Sequence, residues 1–381
     1  MTTQIFDDVS LIVNGVEHKG WQSVVIRKSV DALASSFQLQ MAYERFGDRP
    51  DVHVGANVQI LINGSLVITG AIDAMPSTKS ATDHTRTVIG RSLTRNVVDC
   101  SVYLKTNQID KSTPLQIAQR ICAPLGVDVI NEAGALLPIP IFRWADAARC
   151  GDVIQDACRQ QGLTVRDNEF GQIVITRPRE RVSRGSVQEG DGSKGGSVGN
   201  IEGWRVMRSE AQRFSDYFVK GRTTQSDARP GNQVRGEAKD DGVSSFRPLI
   251  IQAEGDMTNA KCKIRAVHEA QRRAAIENPV SVTVAGWRYA ADGNPWRVDE
   301  VLRVSIPTES YDSSLLIKSL SFEKSDGGTH TVMDLVDPAA YEALPDTKSS
   351  SGSKVKFDPS KYIKDLGPRQ TVADIGAPSV T

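Results

Sequence analysis

One strand pattern is written twice in this chain. The stretch from Gly55, GANVQILINGSLVITGAIDAMPSTKSATDHTRTVIGRS, and the stretch from Asp299, DEVLRVSIPTESYDSSLLIKSLSFEKSDGGTHTVMDLVD, share one order of elements. Each holds a short strand, a turn, a strand opening Leu-Val-Ile or Leu-Leu-Ile, a polar turn and a strand around Thr-Val. Aligned by eye, Leu66-Val67-Ile68 corresponds to Leu315-Leu316-Ile317, and Thr87-Val88 to Thr331-Val332. Short apolar strands punctuated by turns belong to antiparallel sheets with one buried face. The repeat therefore predicts two related antiparallel β-barrel domains in an α+β, mainly β, chain, with smaller α+β domains inserted or appended.

Residues 1–100 read as the first barrel. Asn14-Gly15 and Asn63-Gly64 stand between apolar runs, the residue pair that two-residue hairpin turns favour. Phe37, Leu39 and Met41 alternate cleanly in SSFQLQMAYE. The period changes after Cys100, and 101–178 reads as a compact α+β module. Thr113 is placed as a helix N-cap with Pro114 at the first helical position. Leu115, Ala118, Cys122 and Leu125 fall on one face of that helix, and Val153, Ala157 and Cys158 point inward from the next. Two strands then turn at Glu169-Phe170-Gly171.

Residues 179–200 lack periodicity and are rich in Gly and Ser, the composition of a flexible connection. Residues 201–280 form an α+β region with a strand carrying Phe214, Tyr217 and Val219 and a long helix over 256–277. Met257, Ala260, Ile264, Val267 and Ala274 make its apolar stripe. Residues 281–344 return to barrel-type strands, completed by strands from 201–255. From Pro345 to Thr381 the composition turns to Ser, Lys, Gly and Asp, and this tail is expected to be extended or disordered alone.

Chain length of 381 residues exceeds one ordinary core. Lys plus Arg and Asp plus Glu both number 46, so no basic field draws the chain to nucleic acid or anionic lipid, and dedicated binding to either is not expected. The N-terminus has no basic segment followed by an apolar core, and no apolar run approaches the roughly 20 residues that span a bilayer. A soluble protein made in a cytoplasm is expected.

The motif search leaves the catalytic, cofactor and metal sets empty. Gly190-Asp191-Gly192-Ser193-Lys194-Gly195 matches G-x-G-x-x-G in letters, but lacks the strand before it and the helix after it that a phosphate cradle needs. His268-Glu269 has Arg272 where a zinc helix needs a second histidine. His18, His53, His84 and His330 stand alone near turns and strand ends. Cys100, Cys122, Cys150, Cys158 and Cys262 have no C-x-x-C spacing and read as small core hydrophobes in a reducing compartment. Lys261, Lys263, Arg265, Arg272 and Arg273 share their helix with Glu269 and Glu277, which makes a solvated face with local ion pairs. Asn63-Gly64-Ser65 spells a glycosylation sequon but reads as a turn.

A duplicated domain gives one chain two similar flanks, and three such chains close a ring of six similar parts when the rotation fits. VGANVQILINGSLVITGAID, CGDVIQDACRQQGLTVRDNEFGQIVITRP and AGWRYAADGNPWRVDEVLRVSIP followed by LLIKSLSFEKSDGGTHTVMDLVDP then add a resemblance. Across 1–340 the chain resembles the baseplate hub proteins of contractile-tailed bacteriophages, the late-control D-type tail proteins, and is most similar to the hubs of Mu-type phages. That resemblance implies a homotrimeric ring in the tail baseplate, with no catalytic site to carry over. The ring would join the six-fold tail tube, or its initiator proteins, to the three-fold membrane-piercing spike among other baseplate proteins. It would serve tail assembly, host-envelope penetration and genome ejection. The other readings are a tail-associated peptidoglycan hydrolase and a carbohydrate-binding module.

Overall fold

The structure, a computed structural model, describes residues 7–42, 52–176, 183–190, 199–222, 233–256, 258–289 and 293–341. The expectations for the tail 345–381, for Met257 and for Asp191 to Gly195 lie outside them. The chain divides into two compact units: residues 1–205 with 280–336, and residues 206–279 with 337–381.

The larger unit opens with β1 (Val9–Val13), β2 (Val16–His18), β3 (Ser23–Ser29), β4 (Ser36–Ala42), β5 (Asn57–Ile62), β6 (Ser65–Ala74), β7 (Ser77–Lys79) and β8 (His84–Ser92). Asn14-Gly15 and Asn63-Gly64 turn the β1–β2 and β5–β6 hairpins with all four residues at positive φ, the left-handed conformation that Asn and Gly tolerate. An α+β module follows. It comprises α1 (Arg95–Asp99), β9 (Gln108–Ser112), α2 (Pro114–Cys122), β10 (Val129–Asn131), β11 (Ile139–Arg143), α3 (Cys150–Arg159), β12 (Thr164–Asp167) and β13 (Ile173–Thr176). Thr113 caps α2 in a capping box with Gln116, as its sequence predicts. The buried face of α2 is Pro114, Ile117, Ala118, Ile121 and Cys122, whereas Leu115 and Leu125 pack only at its margin. α3 buries Val153, Ala157 and Cys158 as expected, together with Cys150 and Ile154.

Next come β14 (Ser183–Gln188) and β15 (Ile201–Val206). The sequence reads 179–200 as a flexible connection without periodicity, and the structure places β14 within it. That strand pairs parallel with a later strand, and within Gly185–Gln188 only Val187 is buried, so it carries no period-two signature to find. The second unit contributes β16 (Asp216–Arg222), β17 (Gln233–Lys239), β18 (Pro248–Asp256) and α4 (Asn259–Ile276). The chain then returns with β19 (Val280–Ala285), β20 (Val301–Ile306), β21 (Tyr311–Ser325) and β22 (Gly328–Val336).

Both copies of the repeat lie in one 14-stranded sheet, in the order β15-β19-β22-β21-β3-β4-β8-β6-β5-β1-β2, with β14, β20 and β7 pairing beside it. In the first copy β5, β6, β8, β4 and β3 are successive neighbours. In the second β20, β21, β22, β19 and β15 are neighbours in the same way and arise in the same chain order. The buried faces agree too. Val58, Ile60 and Ile62 on β5 answer Leu302, Val304 and Ile306 on β20, and Phe37, Leu39 and Met41 on β4 answer Val280, Val282 and Val284 on β19. Each such side chain contributes roughly 1.5–3 kcal/mol on full burial, and slipping a strand by one residue would expose the whole set.

The counterparts are not those of the alignment by eye. Ile72 N donates to Ala56 O and accepts at its own carbonyl from Gly55 N; Ile317 N donates to Glu300 O and accepts from Asp299 N. A β-bulge follows each of them, between Ile72 and Ala74 and between Ile317 and Ser319. Ile72 is therefore the counterpart of Ile317, and Leu66-Val67-Ile68 is not the counterpart of Leu315-Leu316-Ile317. The apolar triplets mislead because the loops before them differ: Asn63-Gly64 in one copy, the 3₁₀ turn Pro307–Glu309 and Ser310 in the other.

Strands from 201–255 do not all join the second copy. β15 joins it, whereas β16, β17 and β18 make a separate three-stranded sheet in the smaller unit. α4 lies on that sheet, starting at Asn259 because Asp256 still belongs to β18. Its buried residues are Cys262, Ala266, Ala270 and Ala275, not the predicted stripe, of which Ala260 is exposed and Ile264 and Val267 are half-buried. The reason is the approach at Gly236 on β17. A Cβ there would stand 2.1 Å from Lys263 N, so helix and strand backbones touch and only small residues fit between them. Arg213 and Asp240 lock the same unit with a buried bidentate ion pair at 2.7 and 2.9 Å.

Candidate assembly interface

The two copies meet where β3 pairs antiparallel with β21, from Ser29 opposite Ser319 to Val24 opposite Lys324. β21 pairs with β20 only as far as Leu316 and changes partner after its bulge, which frees Ser319 to Lys324 for β3. Val24, Ile26 and Phe322 are fully buried at this junction, so the joint is core.

Asp7 fastens the junction from the side. Its carboxylate accepts from Trp287 N at 2.9 Å, Asn63 Nδ2 at 2.9 Å, Arg288 Nε at 3.1 Å and Thr329 Oγ1 at 3.2 Å. Asn63 in turn accepts from Asp8 N through Oδ1 at 2.9 Å. One buried carboxylate thus joins the β5–β6 turn of the first copy to the β19 end and β22 of the second.

The α+β module docks on the first copy through Asp167, which accepts from Ser35 N at 2.7 Å and Ser35 Oγ at 3.0 Å, all buried. Lys28 Nζ donates to Val67 O at 2.9 Å nearby. Withdrawal from water pushes the Lys28 ammonium below the ordinary lysine range, and the Asp167 and Glu169 carboxylates oppose that shift. Arg91 grips Asp73 and Asp99, and Arg95 also pairs with Asp73, so that the bulged end of β6 is held to α1. The two carboxylates hold the Arg91 guanidinium charged, Asp99 foremost.

β15 is held to the second copy by side chains as well as by β19. Glu189 accepts from Trp204 Nε1 at 2.9 Å and from Thr308 Oγ1 at 2.7 Å, and these hydroxyl and indole donors keep it below the usual carboxylate range. Glu202 meets His330 Nδ1 at 2.6 Å.

The described residues weighed from sequence meet in local contacts rather than in one cluster. Glu269 pairs with Arg273, which also donates to Gln212 O and lies over the Phe214 ring. His53 contacts its neighbour's carbonyl, His84 contacts Ser77, and His18 is buried on β2. Among the described residues no group of three metal-ligating side chains converges. All five cysteines are free, and four are buried. Asp7, Lys28, Ser35 and Asp167 escaped sequence reasoning altogether. Their partners lie tens to hundreds of positions away, and nothing local marks them.

The buried hydrogen bonds described above join the two strand sets to each other and to the α+β module. Comparison with known proteins gives the family. Residues 8–92 match the N-terminal domain of Mu phage baseplate assembly protein GpP-like proteins, residues 94–177 the second domain of baseplate hub protein gp44-like proteins, and residues 258–344 the fourth domain of Mu phage baseplate assembly protein GpP. The chain belongs to the Mu-type baseplate hub family. It is 27% identical over 313 residues to the baseplate hub protein gp44 of Escherichia phage Mu, covering 80% of this chain and 79% of that one. The 43 kDa tail protein of prophage MuSo2 from Shewanella oneidensis superposes with a TM-score of 0.77 at 26% identity, over 88% of this chain and 99% of that one. A tail protein from Neisseria meningitidis shares the fold, with a TM-score of 0.75 at 21% identity over 90% of this chain and all of that one. The matched families and the Mu relative are structural baseplate proteins rather than enzymes, and the chain is a component of the phage tail baseplate.

Proposed function

We propose that this hub is a homotrimeric ring that joins a six-fold tail tube to a three-fold spike, and that it serves tail assembly and penetration of the host envelope. The observation that carries this reading is the duplication: two strand sets with one neighbour order, one chain order and matching buried residues. Three copies would then present six similar parts on one side and three on the other, because a heterologous contact repeated with a closing rotation makes a ring. Each strand set would close as a barrel-type domain, 101–178 and 207–279 would be the appended and inserted modules, and 345–381 would order against a baseplate partner.

Top views of the purified protein by negative-stain electron microscopy test it. Rings with three-fold symmetry and six similar lobes are expected. Separate elongated monomers that persist at high concentration would refute the ring and return the peptidoglycan-hydrolase and carbohydrate-module readings.

A further inference from the structure

The equivalence of the two copies identifies a missing contact. Within one chain, β3 of the first copy sits on Ser319 to Lys324 of β21 in the second. The counterpart of β3 is β15, since each flanks the strand, β4 or β19, that pairs with the copy's last strand. The counterpart of Ser319 to Lys324 is Ala74 to Lys79, since each begins at the residue after the bulge that follows Ile317 or Ile72. Among the described strands, β15 ends the sheet with one neighbour, β19, and Ala74 to Lys79 meets only β8.

Both edges are suited to pairing. Ala74 and Pro76 to Lys79 are exposed, as are Glu202 and Arg205. Ile201, Trp204 and Val206 are half-buried apolar residues on an edge that no second strand pairs with among the described residues, which is a hazard for a protein that stays alone. Pro76 lacks an N–H and Lys79 carries a charge, so this edge can take a short partner strand but resists growing a long ladder.

We infer that β15 of one copy pairs antiparallel with Ala74 to Lys79 of a second copy, repeating between chains the β3–β21 joint made within one. The inference rests on the ring reading and deepens it: it names the strands that close the ring. Arg27 lies opposite both Ser36 and Ser321, and Met207 N bonds to Pro279 O, so carrying that register across sets Val206 opposite Ser77.

Disulfide trapping tests it on the full chain, with the half-buried Cys100 replaced by Ser. Directly opposed antiparallel residues stand about 4.5–5.5 Å apart at Cα, within disulfide reach. Val206 is half-buried at the end of β15, and Val206→Cys keeps a small side chain there. The V206C/S77C double variant is expected to run as a covalent trimer on a non-reducing gel after mild oxidation. Mixed V206C and S77C single variants should give a covalent dimer, and neither single variant alone should cross-link. Light scattering on the same samples separates the failures. A trimer in which V206C cross-links with no cysteine placed from Ala74 to Lys79 overturns the edge assignment and leaves the ring standing; a persistent monomer overturns both.

Discussion

The backbone N–H of Trp287 donates to the Asp7 carboxylate at 2.9 Å across a separation of 280 residues. The same carboxylate holds Asn63, Arg288 and Thr329, and its side chain is 5% exposed. Removing it strands several donors at once, and an unpaired buried donor costs about 1–3 kcal/mol. Asp7→Ala is therefore expected to lose about 2–4 kcal/mol in urea denaturation, whereas Asp326→Ala on an exposed turn should stay within about 0.5 kcal/mol.

Ser35 and Asp167 make the corresponding joint between the first strand set and the α+β module, and here two bonds converge on one buried carboxylate. Ser35→Ala removes the hydroxyl but keeps the backbone bond, at a cost of about 1 kcal/mol. Asp167→Ala removes both acceptors and should cost about 2–3 kcal/mol. Equilibrium unfolding would check the order; equal losses would mean that the backbone bond contributes nothing.

On α4 the prediction is steric. Gly236→Val sets side-chain atoms into the backbone of Cys262 and Lys263, where even a Cβ would stand within 2.2 Å. A loss of about 2–3 kcal/mol is expected from overpacking. Gly203→Ala, with open space around it, should change little. Thermal unfolding followed by circular dichroism distinguishes the pair.

Burial raises the Cys122 and Cys158 thiols from an ordinary 9.0 to about 12 and Cys150 to about 11. Their folded values exceed their unfolded ones, so the stability they contribute is complete below pH 9 and is lost as pH rises toward 11–12. Each thiol contributes a slope of at most about 1.4 kcal/mol per pH unit in that window. Stability should fall with alkali, and replacing the three by Ala or Ser should flatten the alkaline limb. In the native protein at neutral pH, an aromatic disulfide reagent should titrate Cys100 quickly and the other four only on unfolding.

Much of this architecture is legible in the sequence because its causes are local. Asn-Gly pairs impose hairpins at 14–15 and 63–64, Thr113 with Pro114 starts a helix, and Phe37, Leu39 and Met41 alternate onto one face. The duplication was visible for the same reason, and with the quoted motifs it carried the family resemblance. β14 was not legible: its partner is a parallel strand more than a hundred residues on, and one buried valine makes no pattern. The face of α4 is not legible either, because large apolar residues mark a stripe in sequence, whereas a close backbone approach selects Cys and Ala.

By itself, then, the sequence determined the strand-rich class and the existence of two copies, since periodicity and turn chemistry act between near neighbours. Only the tertiary structure decided that Ile72 answers Ile317, that β3 is seated on β21, and that Asp7, Ser35 and Asp167 fasten the joints. Those outcomes depend on hydrogen bonds closed between distant segments. A buried donor bonds to whichever acceptor the fold brings within about 3 Å, and no local pattern records which one that is.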